Sequence, residues 1–336
     1  MKIGNKDITK EVFVIAEVGN NHEGSYTLAE EMIGLASGTG VDAVKFQTFK
    51  TEYFVSKKET DRFNRLKSFE LTEQEFIRLS EHAQKSGLIF ISTPLDIESA
   101  KFLQSIVTAY KIASSDNNFY PLLEVAANTG KPIILSSGLA DIELLKTSKN
   151  YIENIWRNNS IQQSMAILHC VTAYPVPTDQ VNLGAITALQ KAFNCSIGYS
   201  DHTLGIKACE LAVALGAQII EKHFTMDKNY SSFRDHQLSA DPSEMKQLVN
   251  SIKEIKAMMG QGEKTIQAAE KSLETAVRRS IAAKTKLSQG HTISFNDLMW
   301  IRPSGGLSPG KENLLLGKTL NQDVEMGEFL TENIIH

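Results

Sequence analysis

Apolar residues in the first three quarters of the chain come in short unbroken runs, and the stretches between them carry a helical period. The runs are VFVIAEVG (12–19), AVKFQTF (43–49), IFISTPL (89–95), AYKIAS (109–114), PIILSSG (132–138), AILHCVT (166–172), SIGYSDH (196–202) and QIIEKHFT (218–225). Val, Ile, Leu and Phe follow one another in them rather than alternating with polar residues, which is how a parallel strand covered on both faces reads. Between them lie amphipathic stretches that end in glycine or open on a capping residue. Thr72 precedes Glu75 in a capping-box pattern, and Pro242 and Gly260 bracket the last stretch. Strand–helix alternation repeated eight times predicts a (β/α)8 barrel over residues 1–260, with an open doubly wound sheet as the alternative. A polar linker (261–277) and a tail of short strands and glycine turns (278–336) follow.

In such a barrel the strand C-termini build the site. Nearly every run ends in polar groups: Glu17; Lys45 and Gln47; Thr93; Lys111 and Ser114; Ser136 and Ser137; Thr172 and Tyr174; Ser200, Asp201 and His202; Glu221, Lys222 and His223. An ammonium inside an apolar strand is costly without a partner. Lys45 and Lys111, ringed by hydroxyls, therefore suit an anion such as a phosphate bearing a second acidic group. Alternatively each lysine pairs with Glu17 or Asp201, or serves as a Schiff-base amine. His202 and His223 end neighbouring strands, where two imidazoles can share a divalent metal. Glu17 is a candidate general base or cation stabiliser. His169 and Cys170 read as packing residues, and His22 as a solvated loop histidine.

Composition narrows the setting. Hydrophobic residues make up 42% and charged residues 22% of 336, which suits a globular protein with a sizeable core. A net charge of −4 gives no general attraction to nucleic acid. Three cysteines without CxxC spacing suggest a reducing compartment. Neither a signal-peptide pattern nor a membrane-length apolar run is present, so the expected location is the cytosol.

Several stretches, in order along the chain, resemble the sialic acid synthase family, which includes N-acetylneuraminate, legionaminate and pseudaminate synthases. They include AEVGNNHEGS (16–25), VKFQTF (44–49), YKIASSDNN (110–118), KPIILSSG (131–138), LHCVTAYPVP (168–177), GYSDHTLG (198–205), IIEKHFTMDKN (219–229) and DHQLSADPSEM (235–245). The tail, with RRSIAAKTKLSQGHTISFNDLMWIRPSGG (278–306), resembles the family's antifreeze-like (SAF) domain. The resemblance implies condensation of phosphoenolpyruvate with a 2-acylamino-hexose, such as N-acetylmannosamine or a 2,4-diacetamido-trideoxyhexose. The products would be a nine-carbon 3-deoxy-2-keto sugar acid and phosphate, formed by C–O cleavage. It assigns Lys45, Thr93, Lys111, Ser114, Ser136, Thr172 and Ser200 to phosphoenolpyruvate. His202 and His223 would bind Mn2+ (or Mg2+ or Co2+), and Glu17 would act at the reacting carbon. Gln47, Asp116, Tyr174, Asp235 and Arg302 are assigned to the sugar. Arg302 would come from the tail of the second subunit of a domain-swapped homodimer. A non-catalytic sugar-binding protein on the same scaffold is the alternative from another class.

By strand alternation Lys222 points outward, while Glu221 shares the inward face of His223 and lies deeper. The chain departs from the family pattern at Asp116, where Glu is usual, and at Thr172, where some members carry Asn. The loop KNYSSFRDHQ (228–237) is longer by one residue, with Arg234 in place of a proline. The changes at Asp116 and in the loop fall on the sugar side.

Overall fold

The structure, a computed structural model, describes all 336 residues and divides into two compact units, Met1–Gly260 and Gln261–His336. In the first unit a hairpin (Lys2–Ile3 and Lys6–Asp7) precedes eight strands: β1 Phe13–Gly19, β2 Ala43–Thr48, β3 Ile89–Pro94, β4 Tyr110–Ile112, β5 Ile133–Ser136, β6 Met165–Cys170, β7 Ser196–Asp201 and β8 Ile219–His223. They close in sequence order, with β8 beside β1, and every neighbouring pair is parallel.

The strands alternate with α1 Tyr26–Ser37, α2 Glu73–Lys85, α3 Ile97–Leu103, α4 Tyr120–Asn128, α5 Ile142–Asn158, α6 Gly184–Ala192, α7 Lys207–Ala214 and α8 Pro242–Met259. Ser25, Thr72, Asp96, Asp141 and Asp241 each accept a backbone N–H of the first turn, which satisfies a donor the helix itself leaves free. The Thr72–Glu75 capping box is complete. Two further helices, Thr51–Phe54 and Thr60–Phe69, fill the loop after β2 and pack through Phe54, Leu66 and Phe69 on Phe49, Leu95 and Phe233.

The barrel has two cores. One lies between strands and helices. The other fills the lumen with Phe13, Ile15, Ala43, Ile91, Ala109, Ile134, Ala166, Leu168 and Ile219, with Ile3 and Ile8 of the N-terminal segment packed on it. The lumen residues explain the site. Two positions further along each strand the same face carries Glu17, Lys45, Thr93, Lys111, Ser136, Cys170 and Glu221. Side chains alternate with period two, so the inward face of each strand is apolar at its start and polar at its end. Gly198 is required in this lumen: a Cβ there would lie 2.5 Å from both the Ile219 carbonyl oxygen and Leu168 Cδ2.

The second unit has its own core, including Ile281, Leu287, Ile293, Leu298, Leu315, Leu320, Val324 and Leu330. It is built on an antiparallel pair, β9 Ser280–Ala283 and β10 Leu298–Ile301. No helix of the chain is long and apolar enough to cross a membrane.

Candidate active site

The strand ends converge on a cavity of about 170 Å³ at the C-terminal mouth of the barrel. It is lined by Glu17, Lys45, Gln47, Thr93, Lys111, Ser114, Ser136, Cys170, Thr172, Tyr174, Ser200, His202, Glu221 and His223. Gln47, Tyr174 and His223 also line a wider outer cavity of about 790 Å³, together with Asn20, Glu23, Arg62, Arg65, Arg234 and Asp235.

Two buried lysines stand on opposite sides of a charge balance. Lys45 Nζ donates to Thr93 Oγ1 at 3.0 Å and pairs with Glu17 Oε1 at 2.8 Å. Burial pulls its pKa down, but the charges of Glu17 and Glu221 more than offset this and hold it above the ordinary value. Lys111 Nζ donates to Ser136 Oγ at 2.8 Å, while its closest carboxylate, Glu221 Oε1, stands 3.6 Å away. Burial wins there, and its pKa is lowered. The pairing of Lys45 with Glu17 was one of the readings open from sequence; the pairing of a lumen lysine with Asp201 does not occur. Asp201 turns outward and engages Lys222.

Glu221 is the site residue that sequence reading left without a role. Its Oε1 accepts from Ser200 Oγ at 3.0 Å and lies 3.8 Å from Lys45 Nζ. Burial pushes the Glu221 carboxyl up, but Lys111 and Lys45 more than offset this and hold it low. At Glu17 burial prevails over Lys45, and the carboxyl is raised. Glu17 Oε1 also accepts from Gln47 Nε2 at 3.2 Å. The second oxygens of Glu17 and Glu221 are both buried without a partner. This ring of charge and hydroxyl still has hydrogen-bonding capacity to give.

Ser114 and Thr172 enter from loops and meet over Gly138. Ser114 Oγ accepts from Gly138 N–H at 3.1 Å. A Cβ at Gly138 would stand 2.3 Å from Thr172 Oγ1 and 2.6 Å from Ser114 Oγ, so glycine is what lets two strand-end hydroxyls close on this loop.

The imidazoles of His202 and His223 lie 5.3 Å apart, centroid to centroid. His202 Nδ1 is 2.9 Å from the Val171 carbonyl, which fixes a proton on that nitrogen, so that the neutral ring carries its lone pair on Nε2. His223 Nδ1 is buried without a partner. Burial, reinforced by the neighbouring cations, pushes the His223 pKa well down, so its ring is neutral. Two imidazoles with unclaimed ring nitrogens fit a divalent ion. No group of three or more His, Cys, Asp or Glu side chains is arranged to hold one, so water and substrate would supply the other positions. Cys170 does not merely pack, as its sequence suggested. Its Sγ lies 3.8 Å from His202 Nδ1 and lines the cavity. The contact raises the His202 pKa against the effect of burial and lowers that of Cys170. His169 does pack, with Nε2 2.9 Å from the Val181 carbonyl. His22 is buried rather than solvated.

Among the residues that the resemblance assigns to a sugar, Tyr174 lies 4.1 Å from the His202 ring, and the Arg234 guanidinium lies over Tyr174 at 4.8 Å. Asp235 pairs with Arg234 at 3.2 Å; burial raises its pKa, and Arg234 offsets this only in part. Asn20 Nδ2 donates to Gln47 Oε1 at 3.0 Å. Asp116, half-buried on the turn after β4, is not among the residues lining either cavity. Arg302 lies in the second unit, exposed, with Nε donating to the Val277 carbonyl at 2.7 Å. Arg62 and Arg65 were not anticipated. Their one signal was a separation of three residues, which places both on one helix face.

A closed parallel barrel with this polar mouth, followed by an SAF domain, defines a TIM-barrel enzyme of two-unit construction. The profile described as NeuB family matches residues 32–264 and that of the SAF domain residues 278–334. The chain belongs to the NeuB family. It is 38% identical to N,N'-diacetyllegionaminic acid synthase of Legionella pneumophila, over 95% of this chain and 93% of that one. Human N-acetylneuraminate-9-phosphate synthase is 30% identical, over 96% of this chain and 92% of that one. Among solved structures, N-acetylneuraminic acid (sialic acid) synthetase from Leptospira borgpetersenii, in complex with citrate, superposes with a TM-score of 0.75. It shares 37% identity and covers 81% of this chain and 94% of that one.

Proposed function

We propose that this protein condenses phosphoenolpyruvate with the open-chain aldehyde of a 2-acylamino-hexose to give a nine-carbon 3-deoxy-2-keto sugar acid and inorganic phosphate. One observation carries the reading. Two buried ammonium groups, two carboxylates, a ring of hydroxyls and two imidazoles with unclaimed nitrogens share one small cavity. Kinship with named sialic, legionaminic and pseudaminic acid synthases supports the same class of chemistry.

Lys111, the lysine whose carboxylate neighbour lies beyond hydrogen-bond distance, is the natural seat for an anion. Lys45, Thr93, Ser114, Ser136, Thr172 and Ser200 complete the donors for a phosphate and a carboxylate. A divalent ion held by His202 and His223, Mn2+ in this reading, would polarise the aldehyde oxygen as a Lewis acid. Carbon 3 of the enol then attacks the aldehyde carbon, and positive charge develops at the phosphate-bearing carbon. Glu17, at the cavity wall with one free oxygen, stabilises that charge and takes the proton of the water that adds there. Phosphate leaves with its bridging oxygen as that C–O bond breaks, taking up the proton that the new hydroxyl gives up to become the keto group, while the proton held by Glu17 goes to the alkoxide left from the aldehyde. Lys45 and Lys111 compensate its charge.

Gln47, Tyr174 and Asp235 orient the hexose in the outer cavity, with Arg302 of a second copy of the chain reaching its acylamino group. Near-equal identity to a legionaminic acid synthase and to a sialic acid synthetase, 38% and 37%, keeps both a 2,4-diacetamido-trideoxyhexose and N-acetylmannosamine in the panel of sugars to test. The deciding experiment is product mass spectrometry with phosphoenolpyruvate, Mn2+ and a panel of acylamino-hexoses, with 18O in the bridging position. A keto acid of the expected mass with the label in phosphate supports the reading. Label retained in the sugar acid, or borohydride trapping of a pyruvate–lysine adduct, would replace it with different chemistry.

A further inference from the structure

Behind the two imidazoles, on the outward face of the barrel wall, lies an ion pair to which the reaction assigns no task. Lys222 and Asp201 are fully buried and 2.7 Å apart, on residues paired in the β7–β8 register. Each stands immediately before one of the histidines. Ser200, Glu221 and His223 face the cavity, so Asp201 and Lys222 point the opposite way, toward α7.

The Asp201 carboxylate has every position filled. Its Oδ1 accepts from Tyr199 OH at 2.8 Å and from Thr203 N–H at 2.9 Å. Its Oδ2 accepts from Lys222 Nζ, from Thr203 Oγ1 at 3.1 Å and from Cys209 Sγ at 3.4 Å. Lys222 Nζ also donates to the Thr203 carbonyl. The residues on both sides of His202 are thus tied to one carboxylate, and the residue before His223 supplies its counter-ion. A core of aliphatic side chains would hold two strands together as well, since a buried pair gains little over good apolar packing. What the pair adds is direction. Hydrogen bonds fix the backbone on each side of His202 and lock it to the strand that carries His223.

We propose that Asp201 and Lys222 are positioning residues whose buried pair sets the spacing and orientation of the His202 and His223 imidazoles. The proposal rests on the reading of those histidines as the metal-binding pair, and it places neither residue in contact with substrate. Loosening the pair lets the two rings drift apart, which weakens an ion held by both far more than an anion whose donors, Ser200 aside, stand outside β7 and β8.

The test uses the full chain and three variants: Lys222→Met, the double variant Asp201→Asn/Lys222→Met, which leaves no lone buried charge, and Tyr199→Phe, which removes a single hydrogen bond. Folding is checked by circular dichroism. Mn2+ affinity is read from the electron paramagnetic resonance signal of the free ion, and phosphoenolpyruvate affinity by calorimetry. In the metal-free protein the imidazole nitrogen resonances of His202 and His223 are followed by NMR, with half-buried His82 on α2 as control. The pair variants should bind Mn2+ about 10- to 100-fold more weakly, the range seen when an outer partner of a metal ligand is lost. Phosphoenolpyruvate affinity should stay within about threefold, and Tyr199→Phe should show a smaller loss of metal affinity in the same direction. The two imidazole signals should shift while His82 does not. Folded variants with unchanged Mn2+ affinity and unchanged imidazole signals would overturn the proposal, as would equal weakening toward Mn2+ and phosphoenolpyruvate. If the unaltered protein bound no Mn2+ but the imidazole signals still moved in the variants, the metal reading would fall and the positioning role would stand.

Discussion

His22 should make the barrel acid-sensitive, and the size of the effect can be worked out. The residue sits in the loop between β1 and α1, 1% exposed, with Nδ1 accepting the Gly24 N–H at 3.1 Å. Burial, only partly offset by Glu75 and Glu23, lowers its pKa from 6.5 to about 4. At pH 8 the ring is neutral in both folded and unfolded chains and contributes no pH dependence. Below 6.5 the unfolded chain takes up a proton that the folded chain refuses, so stability falls as pH drops and levels off below about 4. At about 1.4 kcal/mol per pKa unit the full loss is about 3 kcal/mol, of which about 2 kcal/mol is gone by pH 5.

His22→Asn keeps an acceptor for Gly24 but does not titrate. It should cost about 1–2 kcal/mol at pH 8 through lost packing beside Phe46, and should lose about 2 kcal/mol less than the parent protein between pH 8 and pH 5. Each unit contains one tryptophan, Trp156 in the barrel and Trp300 in the second. Urea unfolding followed by fluorescence in a Trp300→Phe background therefore reports the barrel alone. Parent and variant curves that fall in parallel would refute the assignment.

Further substitutions probe the site. Gly138→Ala drives a methyl group against Thr172 Oγ1 and Ser114 Oγ. It should raise the phosphoenolpyruvate KM at least about tenfold in a phosphate-release assay, with a smaller change in sugar KM. Lys45→Met leaves Glu17 and Glu221 without their nearest shared cation and should cost about 3–5 kcal/mol in denaturant unfolding. Glu17→Gln added to it should restore more than half of that loss. His202→Ala or His223→Ala should abolish metal-dependent turnover, a loss of more than about a hundredfold, while the circular dichroism spectrum is retained. Unchanged rates in both would remove the metal assignment.

The repeating pattern of the chain determined the barrel. Eight apolar runs separated by capped, glycine-ended helical stretches leave little other architecture open, because a parallel strand buried on both faces needs a helix to return the chain. The C-terminal ends of those runs also gave the site, and Glu17, Lys45, Lys111, His202 and His223 are all found at one mouth. Tertiary structure alone decided how their charges are shared. Glu17 takes Lys45 at hydrogen-bond distance, directly opposite it on the neighbouring strand, while Glu221 stands off from Lys111, which it meets only because the barrel closes. Cys170 read as filler because its neighbour His202 lies on the next strand, 32 residues away. The helices Thr51–Phe54 and Thr60–Phe69 went unnamed because they are short, and two of the residues they pack on, Leu95 and Phe233, come from distant parts of the chain. Within a strand, alternation tells which way a side chain points and so separated Glu221 and His223 from Lys222. Which groups then touch depends on long-range closure, and no local pattern encodes that.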